Sequence, residues 1–372
     1  MPQATGVGTE QIDTHENVEE VLPRQFGKYT LLRRIGAGGM AEIFLAQLSL
    51  AQNSAAQIVK PVVIKRIHRS RCTDQAYIDM LLNEARIAST LSHPNIVQIF
   101  EVGCVDGDHY IAMEYIHGAD LRVIVQRMGA LGLTDFPLEH ALAIVVGVCE
   151  GLAYAHEKLG PDGRPHHIVH RDISPQNVLV SYLGEVKVVD FGLAKFSDRI
   201  GEATQAGHIK GKIAYMSPEQ ASGEDVDWRS DIFSLGINLF ELTTCRHLFK
   251  GRSDVDTLRL ISSPTYPSPA QVKPGYPPRL DAIVTKAISK DRNRRYQSAR
   301  HMLADLVEFI REENLRVSNA GLGNWLRTLH DSSTNTRPSS RRNHPSSFAI
   351  VLVASVLIAC AASACAIYFL LR

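Results

Sequence analysis

Asp172 stands in the run His170-Arg171-Asp172-Ile173-Ser174-Pro175-Gln176-Asn177, eighteen residues before Asp190-Phe191-Gly192. A carboxylate at Asp172 can accept the proton of an incoming hydroxyl. Asn177 and Asp190 supply hard oxygens suited to magnesium on a nucleotide's phosphates. Residues of these types at this spacing point to phosphoryl transfer.

Such chemistry needs elements that hold the nucleotide, and three upstream segments have the right patterns. Ile35-Gly36-Ala37-Gly38-Gly39-Met40-Ala41-Glu42-Ile43 is a glycine-rich turn between two alternating apolar stretches, Tyr29 to Ile35 and Ile43 to Leu48. It reads as a hairpin tip whose backbone amides can approach phosphates with no Cβ in the way. Val62-Val63-Ile64-Lys65 is a β-branched strand carrying a lysine. Tyr77, Met80, Leu81, Glu84, Ala88 and Leu91 then recur at helical spacing, which puts Glu84 on the apolar face. A carboxylate there needs a cation, and Lys65 is the obvious one.

Taken together and in this order, these motifs resemble the protein kinase family over about residues 27 to 312. The resemblance implies an α+β, two-lobed fold, with an N-lobe of antiparallel sheet plus one helix and a mainly helical C-lobe. Residues 27–113 would form the N-lobe, 114–118 the hinge and 119–312 the C-lobe. It implies that Gly36, Gly38 and Gly39 form the loop over the ATP phosphates, with Ile35 and Ala37 also at the ATP site and Ala41 where a third glycine is usual. Ile43, Val63 and Leu179 would sandwich the adenine, and Met113, Glu114 and Ile116 would belong to the hinge that binds it. Asp120 would meet the ribose. Lys65, oriented by Glu84, would hold the α- and β-phosphates, Asp172 would be the catalytic base, and Asn177 and Asp190 would bind Mg2+. Met216-Ser217-Pro218-Glu219 resembles the end of an activation segment, with Glu219 paired to Arg295. Asp231 looks like the buried aspartate that ties down the catalytic loop.

The chain also departs from the family pattern. Serine/threonine kinases usually carry lysine two residues after the catalytic aspartate and threonine after the glycine of the segment leading to Pro218; here those positions are Ser174 and Lys212. The exchange predicts that Lys212 reaches toward Asp172 and the γ-phosphate, since a flexible four-carbon stem delivers a point charge from either side of a site. It also removes the sequence markers that separate serine/threonine from tyrosine specificity. Arg171, directly before Asp172, is of the kind that holds a phosphate on the activation segment. Ser197, Thr204 and Tyr215 are the hydroxyls of that segment. Thr204 aligns with the position that bacterial serine/threonine kinases autophosphorylate.

The 40 basic and 39 acidic residues nearly cancel, which argues against a general attraction to nucleic acid. The six cysteines, Cys72, Cys104, Cys149, Cys245, Cys360 and Cys365, show no Cys-x-x-Cys spacing, so neither zinc nor a disulfide framework is indicated. The four in the catalytic region are expected to be reduced and buried. Residues 1–26 are polar and acidic without a lasting apolar period, as in a mobile tail, and carry no signal-peptide pattern. After an amphipathic stretch from Ala299 to Arg311, a short helix is expected over Asn319 to Leu329, through Leu322, Trp325, Leu326 and Leu329, with a polar linker completing 313–347. Phe348 to Leu371 then runs for 24 residues without a charge. As a helix it would extend about 36 Å, against about 30 Å of hydrocarbon, and so predicts a single transmembrane helix. Arg337, Arg341 and Arg342 on its kinase side place the catalytic region in the cytoplasm. With one charged residue beyond it, no sensor domain is expected outside. Ser355, Ala359 and Ser363 recur every four residues, a pattern that would let two such helices pack as a homodimer.

The expected function is therefore that of an ATP- and Mg2+-dependent serine/threonine protein kinase, activated by autophosphorylation and tethered to a membrane. Ser174-Pro175-Gln176-Asn177 and Tyr215 to Gln220 resemble bacterial members, which points to an inner membrane. The alternative is a membrane-anchored pseudokinase that binds nucleotide without turnover, suggested by Ser174 and Ala41. A small-molecule kinase is disfavoured by Ser217-Pro218-Glu219, which closes a peptide-docking segment.

Overall fold

The computed structural model describes residues 21–37, 41–49, 59–67, 78, 82, 85–160, 162–191, 212–263 and 265–335. The chain forms two compact units, Met1–Arg327 and Thr328–Arg372, and both lobes lie in the first.

The N-lobe is an antiparallel sheet of β1 (Arg24–Phe26), β2 (Tyr29–Ala37), β3 (Ala41–Ser49), β4 (Val59–Ile67), β5 (Ile99–Val105) and β6 (Asp108–Glu114), in the order β1-β2-β3-β4-β6-β5. The glycine-rich stretch joins β2 to β3, whose ladder closes at Ala37 opposite Glu42. Because side chains alternate across a strand, β4 feeds two cores. Val62 and Ile64 pack with Phe26, Tyr29, Leu31, Phe44 and Tyr110. Val63 and Ile67 pack on the other face with Ala85, Val97, Ile111 and Met113. Lys65 shares that second face. Pro61, which has no N–H to give, precedes the β4–β6 ladder, which begins at Val62. Residues 85–89 are helical, and Ala85 and Ala88 are buried.

A second, three-stranded sheet of β7 (Gly118–Asp120), β8 (Val178–Ser181) and β9 (Val186–Val188) lies between the hinge and the C-lobe helices. The helices that matter for the site are α1 (Leu121–Ala130), α2 (Leu138–His156), α3 (Pro218–Ala221), α4 (Trp228–Thr244), α5 (Asp254–Ile261), α6 (Pro269–Val272), α7 (Pro278–Ala287), α8 (Ala299–Glu312) and α9 (Asn319–Asn335). α2 is apolar nearly all round and packs against α4, α8 and β9. Among the described residues it is the helix long and apolar enough to cross a membrane, but 67% of that stretch is buried, as suits a helix at the centre of a lobe. The expected membrane segment, 348–371, lies outside the described residues.

Two expectations change. Of the cysteines, Cys149 is buried but Cys104 and Cys245 are exposed: Cys104 lies on the edge strand β5, and Cys245 caps α4 in a left-handed turn (φ 54°) at the surface. α9 also runs six residues beyond Leu329, to Asn335. Once buried Leu322 and Leu326 have nucleated it, nothing before Pro338 breaks propagation.

Candidate active site

Lys65 and Asp190 meet across the cleft, Nζ to Oδ1 at 2.8 Å. β4 presents the lysine on its inner face, while Asp190 follows β9 in the left-handed region (φ 63°). Burial pushes the Asp190 carboxyl up, but the charge and hydrogen bond of Lys65, aided by Lys212 and His170, outweigh it and hold the group below the usual carboxylate range. Glu84, expected to orient Lys65, lies outside the described residues, as do Gly38, Gly39 and Thr204.

Asp172 is gripped from two sides. Asn177 Nδ2 donates to its carbonyl O and to Oδ2, both at 2.8 Å. Lys212 Nζ lies 2.6 Å from the same Oδ2. Ser174 takes no part: it is 1% exposed and its Oγ has no hydrogen-bond partner. Because the Asn177 amide nitrogen faces Asp172, its Oδ1 is the atom left for a cation. An amide oxygen together with the Asp190 carboxylate fits magnesium, which takes oxygen ligands and keeps several waters.

The loop carrying Asp172 is strained and pinned. Arg171 has φ 69°, a conformation unfavourable for a residue with a Cβ. Asp231, in the first turn of α4 and 0% exposed, accepts the backbone N–H of His170 at 2.8 Å and of Arg171 at 2.7 Å. His156, the last residue of α2, brings Nε2 within 2.8 Å of Asp231 Oδ2. Gln220 Nε2 donates to Arg171 O at 2.8 Å. α3 holds that glutamine because Ser217-Pro218-Glu219-Gln220 forms a capping box with proline in the first turn.

Behind α3, Glu219 and Arg295 form a bidentate pair, 2.6 and 2.8 Å, with 4% and 0% side-chain exposure. Ser230 donates its hydroxyl to Glu219, and Arg295 also donates to the carbonyls of Ser289, Lys290 and Arg229. The guanidinium lies 4.7 Å over the Phe233 ring.

On the nucleotide side, Ile43 packs against the apolar cluster that contains Val63 and Met113, and Leu179 lies opposite Asp120 in the β7–β8 ladder. Ile35, Gly36 and Ala37 end β2, and Tyr115 and Ile116 close the same apolar cluster. Asp120, expected at the ribose, caps α1: its Oδ1 accepts Val123 N–H at 2.8 Å. The Glu114 side chain pairs with Lys187 at 2.9 Å.

The protein-family profile described as "Protein kinase domain" matches residues 29–307. The chain belongs to the protein kinase family. Curated relatives of this kinase domain include the tyrosine-protein kinase MasK of Myxococcus xanthus, 40% identical, covering 80% of this chain and 45% of that protein. PrkC of Bacillus subtilis, a serine/threonine-protein kinase, is 37% identical over 75% of this chain and 40% of its own length. The serine/threonine-protein kinase PknB of Mycobacterium leprae is 34% identical over 77% of this chain and 43% of its own. The chain thus spans less than half the length of these relatives. Among solved structures, the Mycobacterium tuberculosis PknI kinase domain matches with a TM-score of 0.57 and 25% identity, covering 78% of this chain and 98% of that one.

Sequence reasoning missed several supporting residues: His156, which meets Asp231, Gln220, which holds the catalytic loop at Arg171, and Ser230, which donates to Glu219 behind it. Gln220 had a legible signal, three residues after a capping serine. His156 had none, since its contact with Asp231 joins residues 75 apart.

Proposed function

We propose that this chain transfers the γ-phosphoryl of ATP to serine or threonine hydroxyls of proteins. The observation that carries the reading is the grip on Asp172 Oδ2 by Lys212 and Asn177, with the Lys65–Asp190 pair in the same cleft. Asp172 would orient the acceptor hydroxyl and take its proton as the oxygen bonds to the γ-phosphorus and the bond to ADP breaks. Lys65 would hold the α- and β-phosphates, released from Asp190 to do so. Asn177 and Asp190 would hold magnesium, which when bound offsets the charge on the phosphate oxygens. The Lys212 ammonium would meet the charge on the transferring phosphoryl.

A second reading, tyrosine as acceptor, is favoured by the name of the Myxococcus relative and by Ser174. None of the relatives' names points to a scaffold without turnover. Incubating the full chain with labelled ATP beside Asp172→Ala tests the reading. Label on serine and threonine, absent from the variant, is the expected outcome. Label confined to tyrosine selects the second reading, and equal label in both proteins overturns the assignment of Asp172.

Regulation and location complete the proposal. Thr204 would be the principal autophosphorylation site, its phosphate held by Arg171, and mass spectrometry of the incubated protein should find it there. Residues 348–371 would anchor the kinase in a bacterial inner membrane with the catalytic region in the cytoplasm.

A further inference from the structure

α9 begins at a serine cap, with Gly321 N–H donating to Ser318 Oγ at 3.1 Å, and its first half seats on the turn between β8 and β9. The seat is backbone on backbone. A Cβ at Gly184, where φ is 88°, would stand 1.7 Å from Asn319 O, and one at Gly323 would stand 2.6 Å from Leu183 C and 2.7 Å from Gly184 N. Only glycine at both positions permits this approach. Arg327 donates to Tyr182 O, at the start of the same turn. Trp325 lies with its ring centroid 5.0 Å from those of Phe136 and His140, and Leu322 and Leu326 are buried.

That turn is joined to the nucleotide cleft on both sides. Tyr182 N–H donates to His117 O in the hinge at 2.9 Å, and the two rings meet edge to face at 5.0 Å. Gly118 pairs with Ser181, and two residues along β8 lies Leu179, at the expected floor of the adenine site. A Cβ at Gly118 would come within 2.0 Å of Val180 O, so hinge and turn have no slack between them.

We propose that the first half of α9 is a positioning element for the nucleotide: by interlocking with the β8–β9 turn it fixes the hinge at His117 and the floor at Leu179. ATP affinity then depends on a helix that acts through the β8–β9 turn. The proposal rests on the reading of the cleft as an ATP site, so one readout must be independent of ATP.

The test compares full-length Gly323→Val and Arg327→Ala with Met302→Ala, which opens a cavity under α8 without touching the turn. Thermal midpoint, ATP affinity by calorimetry, and amide exchange in peptides covering 115–119 and 181–185 are measured in each. All three variants are expected to lose some thermal stability. The two α9 variants alone should bind ATP about fivefold or more weakly, the low end of a coupling between distinct sites, and exchange faster in both peptides. Hinge exchange and ATP affinity unchanged in Arg327→Ala, and in Gly323→Val if it folds, would overturn the proposal. Should the wild type bind no ATP, the cleft reading fails, while the exchange data still decide whether α9 holds the hinge.

Discussion

Lys212 Nζ, 2.6 Å from Asp172 Oδ2, does two things that Ser174 at 1% exposure cannot: it fixes the carboxylate and puts a positive charge beside it. If that charge acts on the transferring phosphoryl, its loss falls on turnover. Lys212→Met is expected to lower kcat by about a hundredfold, the scale for removing one preorganised donor, with KM for ATP changing by less than about threefold. The paired exchange Ser174→Lys with Lys212→Thr should recover much of the activity in the same steady-state assay. Equal activity in wild type, single and paired variants would sink the idea. The approach of Lys212 to Asp172 could be anticipated because the sequence exchanges a hydroxyl and an ammonium between two positions of one pattern. The capping role of Asp120 and the Glu114–Lys187 pair could not, because a residue's second contact depends on which segment folds back over it. Lys187 is 73 residues from its partner.

Elements bring the strained catalytic loop to its place, and they do so through buried charge. Breaking the Glu219–Arg295 pair from one side leaves a carboxylate buried with no cation, so Arg295→Met should cost about 3–5 kcal/mol in denaturant unfolding. Its pH dependence is diagnostic. Burial pushes the Glu219 carboxyl up, but Arg295 outweighs it and holds the group below its ordinary value of 4.5. A depressed folded-state pKa contributes stability that is present above the unfolded value and is lost as pH falls through the folded one. In Arg295→Met the burial acts alone, the carboxyl's pKa rises, and protonation relieves the variant. The stability gap between wild type and variant should therefore narrow as pH falls from about 6 to about 4. A gap constant across that range would show that the pair is not what couples α3 to Arg295. At this scale the sequence was a good guide to several of the described elements. The β2–β3 hairpin, β4 and α8 fall where alternation or helical spacing put them. The end of α9 did not, because serine, threonine and asparagine read as linker although they extend a helix already nucleated by buried leucines.

At the scale of the whole molecule, the family match ends at 307 and the described residues at 335, so the role of the stretch beyond them is argued from composition. Residues 348–371, uncharged and long enough to span hydrocarbon, are proposed to anchor the kinase, with Ser355, Ala359 and Ser363 on a face that lets two copies pack. Anchoring changes the kinetics of any reaction between copies, because a molecule confined to a surface keeps its neighbours when the suspension is diluted. If Thr204 is phosphorylated in trans, the full chain in membranes should autophosphorylate at a rate per molecule that is indifferent to dilution. The chain truncated after Ser347 should appear in the soluble fraction, and its rate per molecule should fall about tenfold for a tenfold dilution, as a bimolecular step requires. A soluble chain whose rate ignores dilution would mean that each copy phosphorylates itself. A truncated chain still pelleting with membranes would move the anchor elsewhere in the sequence. Because the first experiment reads reaction order and the second reads partitioning, either half of the proposal can fail alone.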